Sequence, residues 1–170
     1  DLSEAEKQGR KQVYEIYEFM KKHAKGLDNS FLIATASEIG VRESRKIIGK
    51  YVLTGKDITS CTKFPDAICA CNYDIDIHNP EGSGTSHYYF KDGEYYSIPY
   101  RSLIPKNMKN LLVAGRCISV DHNAQASVRI MPIVCTIGEA AGTAAALSLS
   151  GGTDMRDVDI TKLRETLEKN

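Results

Sequence analysis

The spacing of apolar residues divides the first third of the chain into a long helix and shorter elements. Apolar residues repeat at intervals of three and four within residues 3–23, which predicts a helix with one face packed on a core. Ser3 and Glu6 form the S-x-x-E pattern that is typical of a capping box at a helix start. The run "FLIATA", residues 31–36, predicts a short buried strand, and residues 56–71 are predicted to contain a short helix around "KFPDAICAC".

The centre of the chain has the pattern of strands and loops. "YDIDIH", residues 73–78, alternates apolar and polar positions as a half-buried strand does. The composition of "NPEGSG", residues 79–84, predicts a loop. Aromatic-rich runs within residues 87–100 flank Asp92 and Gly93, a dipeptide that strongly favours a hairpin turn. We therefore expect an antiparallel hairpin over residues 87–100.

Residues 110–152 have a third pattern, in which an apolar run, a polar stretch and a small-residue helix follow one another. The run "LLVAG", residues 111–115, predicts a strand covered on both faces, as in a parallel sheet. Pro132 suits the first turn of a helix. Small residues then share one helix face that could pack closely on a sheet: Gly138, Ala141, Gly142 and Ala145. A helix start beside a strand end also attracts negative charge, so both tight packing without a ligand and an anion site stay open. A last helix is predicted near residues 160–168.

Composition and charge narrow the classes of function. The chain has 170 residues, which is enough for about one domain. Its formal net charge is zero, so we expect no nucleic-acid or anionic-membrane partner. No apolar run reaches the ~20 residues that a membrane span needs. The five cysteines show neither a C-x-x-C pair nor zinc spacing, which favours free thiols in a reducing compartment and a cytoplasmic location.

Nucleotide-binding signatures are missing from the chain, but several ordered motifs resemble a known family. The chain contains neither G-x-G-x-x-G nor a G-x-x-x-x-G-K-[ST] loop, which argues against a free-standing nucleotide-binding domain. The runs "GVRESR", "YDIDIH", "YSIPYRSLIP" and "NLLVAGRCIS", followed by "SVRIMP" and "GEAAGTAAAL", resemble the carboxyl-terminal part of FAD-dependent oxidoreductases of the glutathione-reductase-like class. The resemblance covers nearly the whole chain.

The resemblance implies an α+β fold and a chain that is one part of a larger enzyme. Residues 1–109 would be mostly a substrate domain with a mixed or antiparallel sheet. Residues 110–152 would supply the last strand and helix of a Rossmann-like FAD domain, and residues 153–170 a terminal helix. The Gly-rich amino-terminal half that binds FAD would then be a missing partner. Such a fragment should expose apolar surface, so self-association into a homo-oligomer is also expected.

The resemblance also implies roles for individual residues. Residues expected to contact FAD lie at the strand end and at the helix start: Ala114, Gly115, Arg116, Met131, Pro132 and Ile133. His122 is expected to act as the acid or base and Arg129 as the anion clamp in hydride transfer between flavin and a small organic substrate. Residues expected to line the substrate cleft come from the other domain: Arg42, His78, Tyr100 and Arg101.

A second interpretation does not involve catalysis. The aromatic residues of 87–100 could form a surface by which a non-catalytic domain binds a partner or ligand. The strand-like alternation of these residues indicates instead that about half of them face a core.

Overall fold

The structure is a computed structural model that describes residues 2–78 and 84–169. The side chains of His78 and Thr85 lie outside this description. The chain divides into two compact units, residues 1–41 and residues 42–170. The division predicted between residues 109 and 110 therefore lies within the second unit.

The first unit contains one helix, α1, over Leu2–His23. The predicted helix is confirmed, but it begins before Ser3, so Ser3 lies inside the first turn and does not occupy the cap position. The predicted packing on a core is wrong, because none of the described α1 residues is buried. Polar contacts hold the following segment to the helix: the Tyr17 hydroxyl donates to the Ser30 carbonyl (3.1 Å), and Glu6 accepts from a backbone amide near the end of the unit (2.5 Å).

The segment 31–36 has no regular secondary structure and does not form the predicted buried strand. Phe31 and Ile33 are exposed, Ile33 to 87%. A strand is stabilised by hydrogen bonds to a neighbouring strand, and none of the described residues pairs with this segment. The prediction of a buried strand over 31–36 is therefore wrong.

The second unit contains the remaining elements of the described chain. Its α-helices and strands are, in chain order, α2 (Gly55–Thr59), β1 (Ala67–Cys71), β2 (Ile75–His78), β3 (Thr85–Tyr88), β4 (Tyr96–Pro99), α3 (His122–Val128), α4 (Met131–Gly151) and α5 (Ile160–Leu167). Short 3-10 helices lie at Tyr100–Leu103, Gly115–Cys117 and Met155–Asp157. Helices beside small antiparallel sheets confirm the predicted α+β class.

The four strands form two separate antiparallel pairs, β1 with β4 and β2 with β3. The predicted strand 73–78 is confirmed by β2. The helix predicted around "KFPDAICAC" is wrong, because the apolar "AICAC" run pairs as β1 and the short helix α2 lies before it. The loop predicted over 79–84 falls mostly on residues 79–83, outside the described part of the chain.

The hairpin predicted over 87–100 is wrong in its pairing. Its turn is present, since Gly93 has φ of +83° and the Glu94 amide donates to the Lys91 carbonyl (3.0 Å). Both arms contain strands, but β3 pairs with β2 and β4 pairs with β1. β4 is buried at all four positions, and the pairing with β1 places it in the core. The turn at Gly93 is thus predicted correctly from local sequence, whereas packing in the core determines which strands pair.

The run 111–115 is not a strand, so the predicted last strand of a Rossmann-like domain is wrong for the described structure. Leu111 is exposed and the next three residues are only partly buried, because no strand lies alongside them. One amide, that of Val113, donates to the Leu103 carbonyl (2.9 Å). Gly115 ends the run with φ of +85°, a conformation that glycine adopts without strain.

Helix α4 is confirmed, with Pro132 in its first turn, but the face that it buries differs from the prediction. Its buried side chains, Ile133, Ile137, Ala140, Ala144 and Ser148, lie on the side that packs against β1 and α5. A Cβ added to Gly138 or Gly142 would meet no atom within 4 Å, so the small-residue face is open and does not lie on a sheet. Among the described helices, α4 alone is long and apolar enough to cross a membrane, a test that core helices of soluble proteins also pass.

The core of the second unit lies where α2, α3, α4 and α5 meet the β1–β4 pair. Its fully buried large side chains include Leu53, Ile58, Tyr96, Ile98, Ile118 and Leu163. The predicted terminal helix is confirmed by α5, whose Leu163 is buried and whose Leu167 packs against the core.

Candidate functional site

A cavity of about 380 Å³ in the second unit is lined by three arginine side chains. We call it the arginine pocket and define it by the following residues: Arg42, Tyr73, Asp76, Arg116, Ala126, Arg129, Ile130, Met131 and Pro132. Three guanidinium groups and one carboxylate give the pocket an excess of positive charge. The sequence-predicted residues Arg42, Arg116, Arg129, Met131 and Pro132 are brought together here.

Backbone carbonyl groups hold two of the three arginines in place. Arg129 follows α3 as its C-cap, and its guanidinium donates to the Asp76 carbonyl (2.9 Å). The Arg116 Nε donates to the Arg129 carbonyl (3.1 Å), and the Arg116 carbonyl accepts from the buried Gln125 amide (2.9 Å). The ion pairs seen among the described residues do not involve Arg42, Arg116 or Arg129, and the pocket carboxylate, Asp76, lies 3.6 Å from His87 Nε2. Their charge is therefore available to an anionic ligand.

The first turn of α4 adds backbone donors to the same pocket. Its N-cap residue, Ile130, has no side chain that accepts from the first amides, so the Met131 and Ile133 N–H groups have no capping partner. The α4 helix is 21 residues long, and its dipole places partial positive charge at this end. The three guanidinium-bearing residues and the first two residues of α4, Met131 and Pro132, line one cavity, a combination that favours carboxylate or phosphate.

His122 lies at the other end of α3 from Arg129 and does not line the arginine pocket. Its Nδ1 is 2.9 Å from Glu43 Oε2, and Lys46 Nζ is 2.6 Å from Glu43 Oε1. Partial burial raises the pKa of Glu43, but the hydrogen bonds from Lys46 and His122 outweigh it and hold the pKa below its usual value. Glu43 is therefore ionised at neutral pH and accepts the Nδ1 proton. The neutral imidazole then carries its free lone pair on Nε2, on a side chain that is 64% exposed.

Tyr100 and Arg101 are held away from the arginine pocket. Tyr100 is buried, its hydroxyl donates to the Met155 carbonyl (2.7 Å), and burial raises its pKa to about 12. The Arg101 guanidinium donates from Nε and from a terminal nitrogen to the two oxygens of Asp66 (2.8 and 3.1 Å). Its plane also lies over the Tyr51 ring, with 5.1 Å between Cζ and the ring centroid. Neither residue lines the arginine pocket with Arg42.

The remaining predicted residues have varied positions. The His78 backbone lies in β2, and its side chain is outside the described part of the structure. Ala114 precedes the 3-10 turn at Gly115, and a Cβ added to Gly115 would meet no atom within 4 Å. Ile133 is buried and lines a neighbouring cavity together with Pro132.

Sequence reasoning missed four residues of the site: Glu43, Lys46, Tyr73 and Asp76. Two signals could have identified some of them. Glu43 directly follows Arg42 in "GVRESR", and the alternation in "YDIDIH" places Asp76 on the polar face of β2. The role of Lys46 depends on the turn of the irregular chain after Arg42, which no periodic pattern encodes.

The fold leaves few of the aromatic residues of 87–100 exposed for the partner-binding surface of the non-catalytic interpretation. Tyr96 and Tyr100 are buried, the Tyr88 hydroxyl donates to the Thr59 carbonyl (3.0 Å), and Phe90 stacks on Tyr96. Within the described part of 87–100, large exposed aromatic side chains are Tyr89 and Tyr95.

The arginine pocket has the positive charge that suits an anionic ligand, such as a small organic acid or part of a nucleotide cofactor. The family model for FAD dependent oxidoreductases matches residues 1–167, and the chain belongs to this family. Neither a curated protein nor a solved structure matches the chain.

FAD is the cofactor of this family, and the described residues fit one part of it. The first amides of α4 have no capping side chain, and the chain at Gly115 is open to close approach by a ligand. Negative charge on a flavin ring would be stabilised at such a helix start. The sequence contains no G-x-G-x-x-G loop for the pyrophosphate.

Proposed function

We propose that this chain is part of an FAD-dependent oxidoreductase that passes a hydride between flavin and a small anionic organic substrate. The observation that carries the proposal is the arginine pocket, in a chain of the FAD dependent oxidoreductase family. Three guanidinium groups beside a single carboxylate in the described lining favour a substrate with one or more carboxylates.

Arg42 and Arg129 are proposed to orient the substrate. Arg129 is fixed by its bond to the Asp76 carbonyl, so little side-chain entropy would be lost when it binds a carboxylate. Arg116 is fixed to the Arg129 carbonyl and would add positive charge beside the bound acid. Orientation of this kind can contribute much of a rate enhancement by holding the reacting atoms in one geometry.

The start of α4 is proposed to hold the flavin end of the cofactor through the Met131 and Ile133 amides, and Ala114 and Gly115 are proposed to contact the cofactor as well. When bound, FAD would supply the hydride acceptor or donor. We propose that a Gly-rich segment outside this sequence binds the rest of the cofactor. The 170-residue chain alone should then show little FAD binding in a fluorescence titration, and tight binding by this chain would contradict that part of the proposal.

His122 is proposed to take or give the proton that accompanies hydride transfer. Glu43 fixes the imidazole by its 2.9 Å contact to Nδ1, which leaves Nε2 as the reactive nitrogen. Nitrogen-15 NMR of the histidine ring tests this arrangement directly. In Glu43→Gln we expect the Nδ1–H tautomer to lose population to the Nε2–H form, whereas Glu139→Gln, an exposed control on α4, should leave it unchanged. Equal tautomer populations in Glu43→Gln and the unsubstituted chain would remove Glu43 from this role.

Carboxylate binding is the main test of the proposal. Arg129→Gln should weaken the binding of a small di- or tricarboxylate, followed by NMR titration, by roughly 10- to 100-fold, because a charge-assisted hydrogen bond is lost. Arg45→Gln is the matched control, since Arg45 is exposed and lies outside the arginine pocket. Equal weakening in both variants, or no binding of any carboxylate to the complete FAD-loaded enzyme, would overturn the anionic-substrate assignment.

A further inference from the structure

Cys69 and Cys71 form a thiol pair on strand β1. The two residues are separated by one residue and direct their side chains to the same side, with 3.6 Å between the sulfur atoms. Cys71 is buried and Cys69 is partly buried. Both contribute to a cavity of about 340 Å³ that also includes Pro132, Ile133 and Thr136 of α4. The pair therefore lies in the wall of a cavity that is large enough for part of a small molecule.

We infer that Cys69 and Cys71 are a redox-active dithiol that closes to an intramolecular disulfide by exchange with a low-molecular-weight disulfide. One thiolate attacks a sulfur atom of the small disulfide, which forms a mixed disulfide and releases one thiolate. The second cysteine loses its proton to solvent and attacks the mixed disulfide, which forms the Cys69–Cys71 bond and releases the second thiolate. Two electrons pass from the pair to the small disulfide, and both released thiolates take up protons.

The Cα–Cα distance expected for Cys69 and Cys71 is close to the upper limit for a disulfide. Strand residues two apart are separated by roughly 6.6 Å, near the upper end of the Cα–Cα range for disulfides. The β1–β4 register shifts between Ala67 and Cys69 but is regular from Cys69 to Cys71, so β1 keeps its ordinary strand spacing across the pair. Closing the bond therefore needs a small local movement, and we expect the product to be reduced again easily.

The other cysteines lack such a neighbour. In the described part of the chain, no sulfur–sulfur contact besides that of Cys69 and Cys71 is present, and Cys117 and Cys135 are exposed single thiols. These can form mixed disulfides, but they have no partner with which to expel the second thiolate. Intramolecular closure should therefore be specific to the pair.

The hydrogen bond to Cys71, together with burial, raises the pKa of the Cys69 thiol above its usual value. Little thiolate is then present on Cys69 at neutral pH, so exchange should be slow there and faster as the pH rises. This reactivity is typical of a pair that follows the ambient thiol–disulfide ratio over a long time and does not respond to brief oxidation.

The thiol pair also contacts a buried polar network that reaches α3. Tyr96, fully buried, is the cross-strand partner of Cys71, and its hydroxyl lies 2.7 Å from Ser127 Oγ of α3. Ser127 in turn donates to the Tyr73 carbonyl. Disulfide formation takes the Cys71 sulfur away from Tyr96, so the amide signals of Tyr96 and Ser127 should change with the redox state.

Equilibration in glutathione buffers tests the inference without reference to flavin chemistry. Trypsin cleavage after Lys63 and Lys91 gives a peptide that contains Cys69 and Cys71 and no other cysteine. As the oxidised fraction of glutathione rises, this peptide should lose two hydrogen atoms in one two-electron transition, resist alkylation, and recover both thiols on reduction. Cys117→Ser should leave the transition unchanged, whereas Cys69→Ser should abolish it.

Two results would overturn the inference. One is a peptide that remains doubly alkylated at the most oxidising buffer. The other is a disulfide between either cysteine and a residue outside the peptide. Cys69 is the substitution of choice because it is only partly buried, and mapping of the unsubstituted protein decides the question even if the variant does not fold.

Discussion

Gly55, the first residue of α2, lies directly against Asn123 of α3, and its replacement by alanine tests how firmly α3 is positioned. A Cβ at Gly55 would stand 2.5 Å from the Asn123 Cβ, whereas ordinary contacts begin at 3.4 Å. The Gly55 amide also donates to both oxygens of Asp121 (3.1 and 3.0 Å), and Asp121 caps α3 through the Ala124 amide (2.7 Å). The two helices would have to move apart by about 0.9 Å.

The expected change in the free energy of unfolding is the sum of three contributions. Forced separation of packed elements costs typically 1–3 kcal/mol. Longer hydrogen bonds from Gly55 to the Asp121 carboxylate add roughly 1 kcal/mol. Gly55 does not have a positive φ, so alanine can adopt its backbone conformation, and the better helix propensity of alanine offsets up to about 1 kcal/mol of this loss. We therefore expect Gly55→Ala to lower the free energy of unfolding by about 2 kcal/mol.

Urea unfolding followed by circular dichroism measures this change, and Gly138→Ala provides the matched control. Gly138 is inside α4, and an added Cβ there would meet no atom within 4 Å, so this substitution should stabilise by about 0.5–1 kcal/mol. Opposite signs for the two substitutions support the packing of α2 on α3. A Gly55→Ala protein as stable as the unsubstituted one would refute the reasoning.

Further predictions concern an ion pair, a titrating carboxylate and a core side chain. Arg101→Lys should lower the free energy of unfolding by about 1 kcal/mol, because lysine cannot make the bidentate contact to Asp66. The same substitution should leave carboxylate binding unchanged. Weaker carboxylate binding with unchanged stability would place Arg101 in the substrate cleft. Hydrogen bonds from Arg156 lower the pKa of Asp154 to about 2, so this carboxylate stabilises the fold above its unfolded pKa near 4, and the contribution is lost as pH falls toward 2. Asp154→Asn should flatten the pH dependence of unfolding in that window, and an unchanged slope would contradict the assignment. Leu163→Ala should cost about 2–5 kcal/mol in urea unfolding, since the side chain is fully buried; a loss below about 1 kcal/mol would show that α5 does not close the core.

Local patterns predicted elements whose stability depends on nearby residues. Helices α1, α4 and α5, strand β2 and the Gly93 turn were predictable because propensity, periodicity or turn chemistry acts over a few residues. Strand partners were not predictable, because the pairing of β4 with β1 depends on the burial of residues that are distant in sequence. Segments 31–36 and 111–115 have the composition of strands, but strand formation needs a neighbour that the described structure does not supply.

The candidate site was predictable to a similar extent. The resemblance to FAD-dependent oxidoreductases indicated Arg42, Arg116 and Arg129, which the structure brings into one pocket. The contact of Glu43 with His122 joins residues about eighty positions apart, and only the tertiary structure reveals it. The catalytic roles of His122 and Arg129 stay predictions.

Helix α1 has a thermodynamic consequence that follows from its lack of buried side chains. A 22-residue helix without a buried face depends on its own backbone hydrogen bonds and on pairs such as Lys11 with Glu15 (3.7 Å). Helices of this kind are marginal in water, so α1 amides should exchange with deuterium through local fraying and not through global unfolding. Exchange should be almost independent of low urea concentrations in α1 and strongly dependent on them in α4. The two helices, similar in length, would thus report two different free energies of opening within one chain.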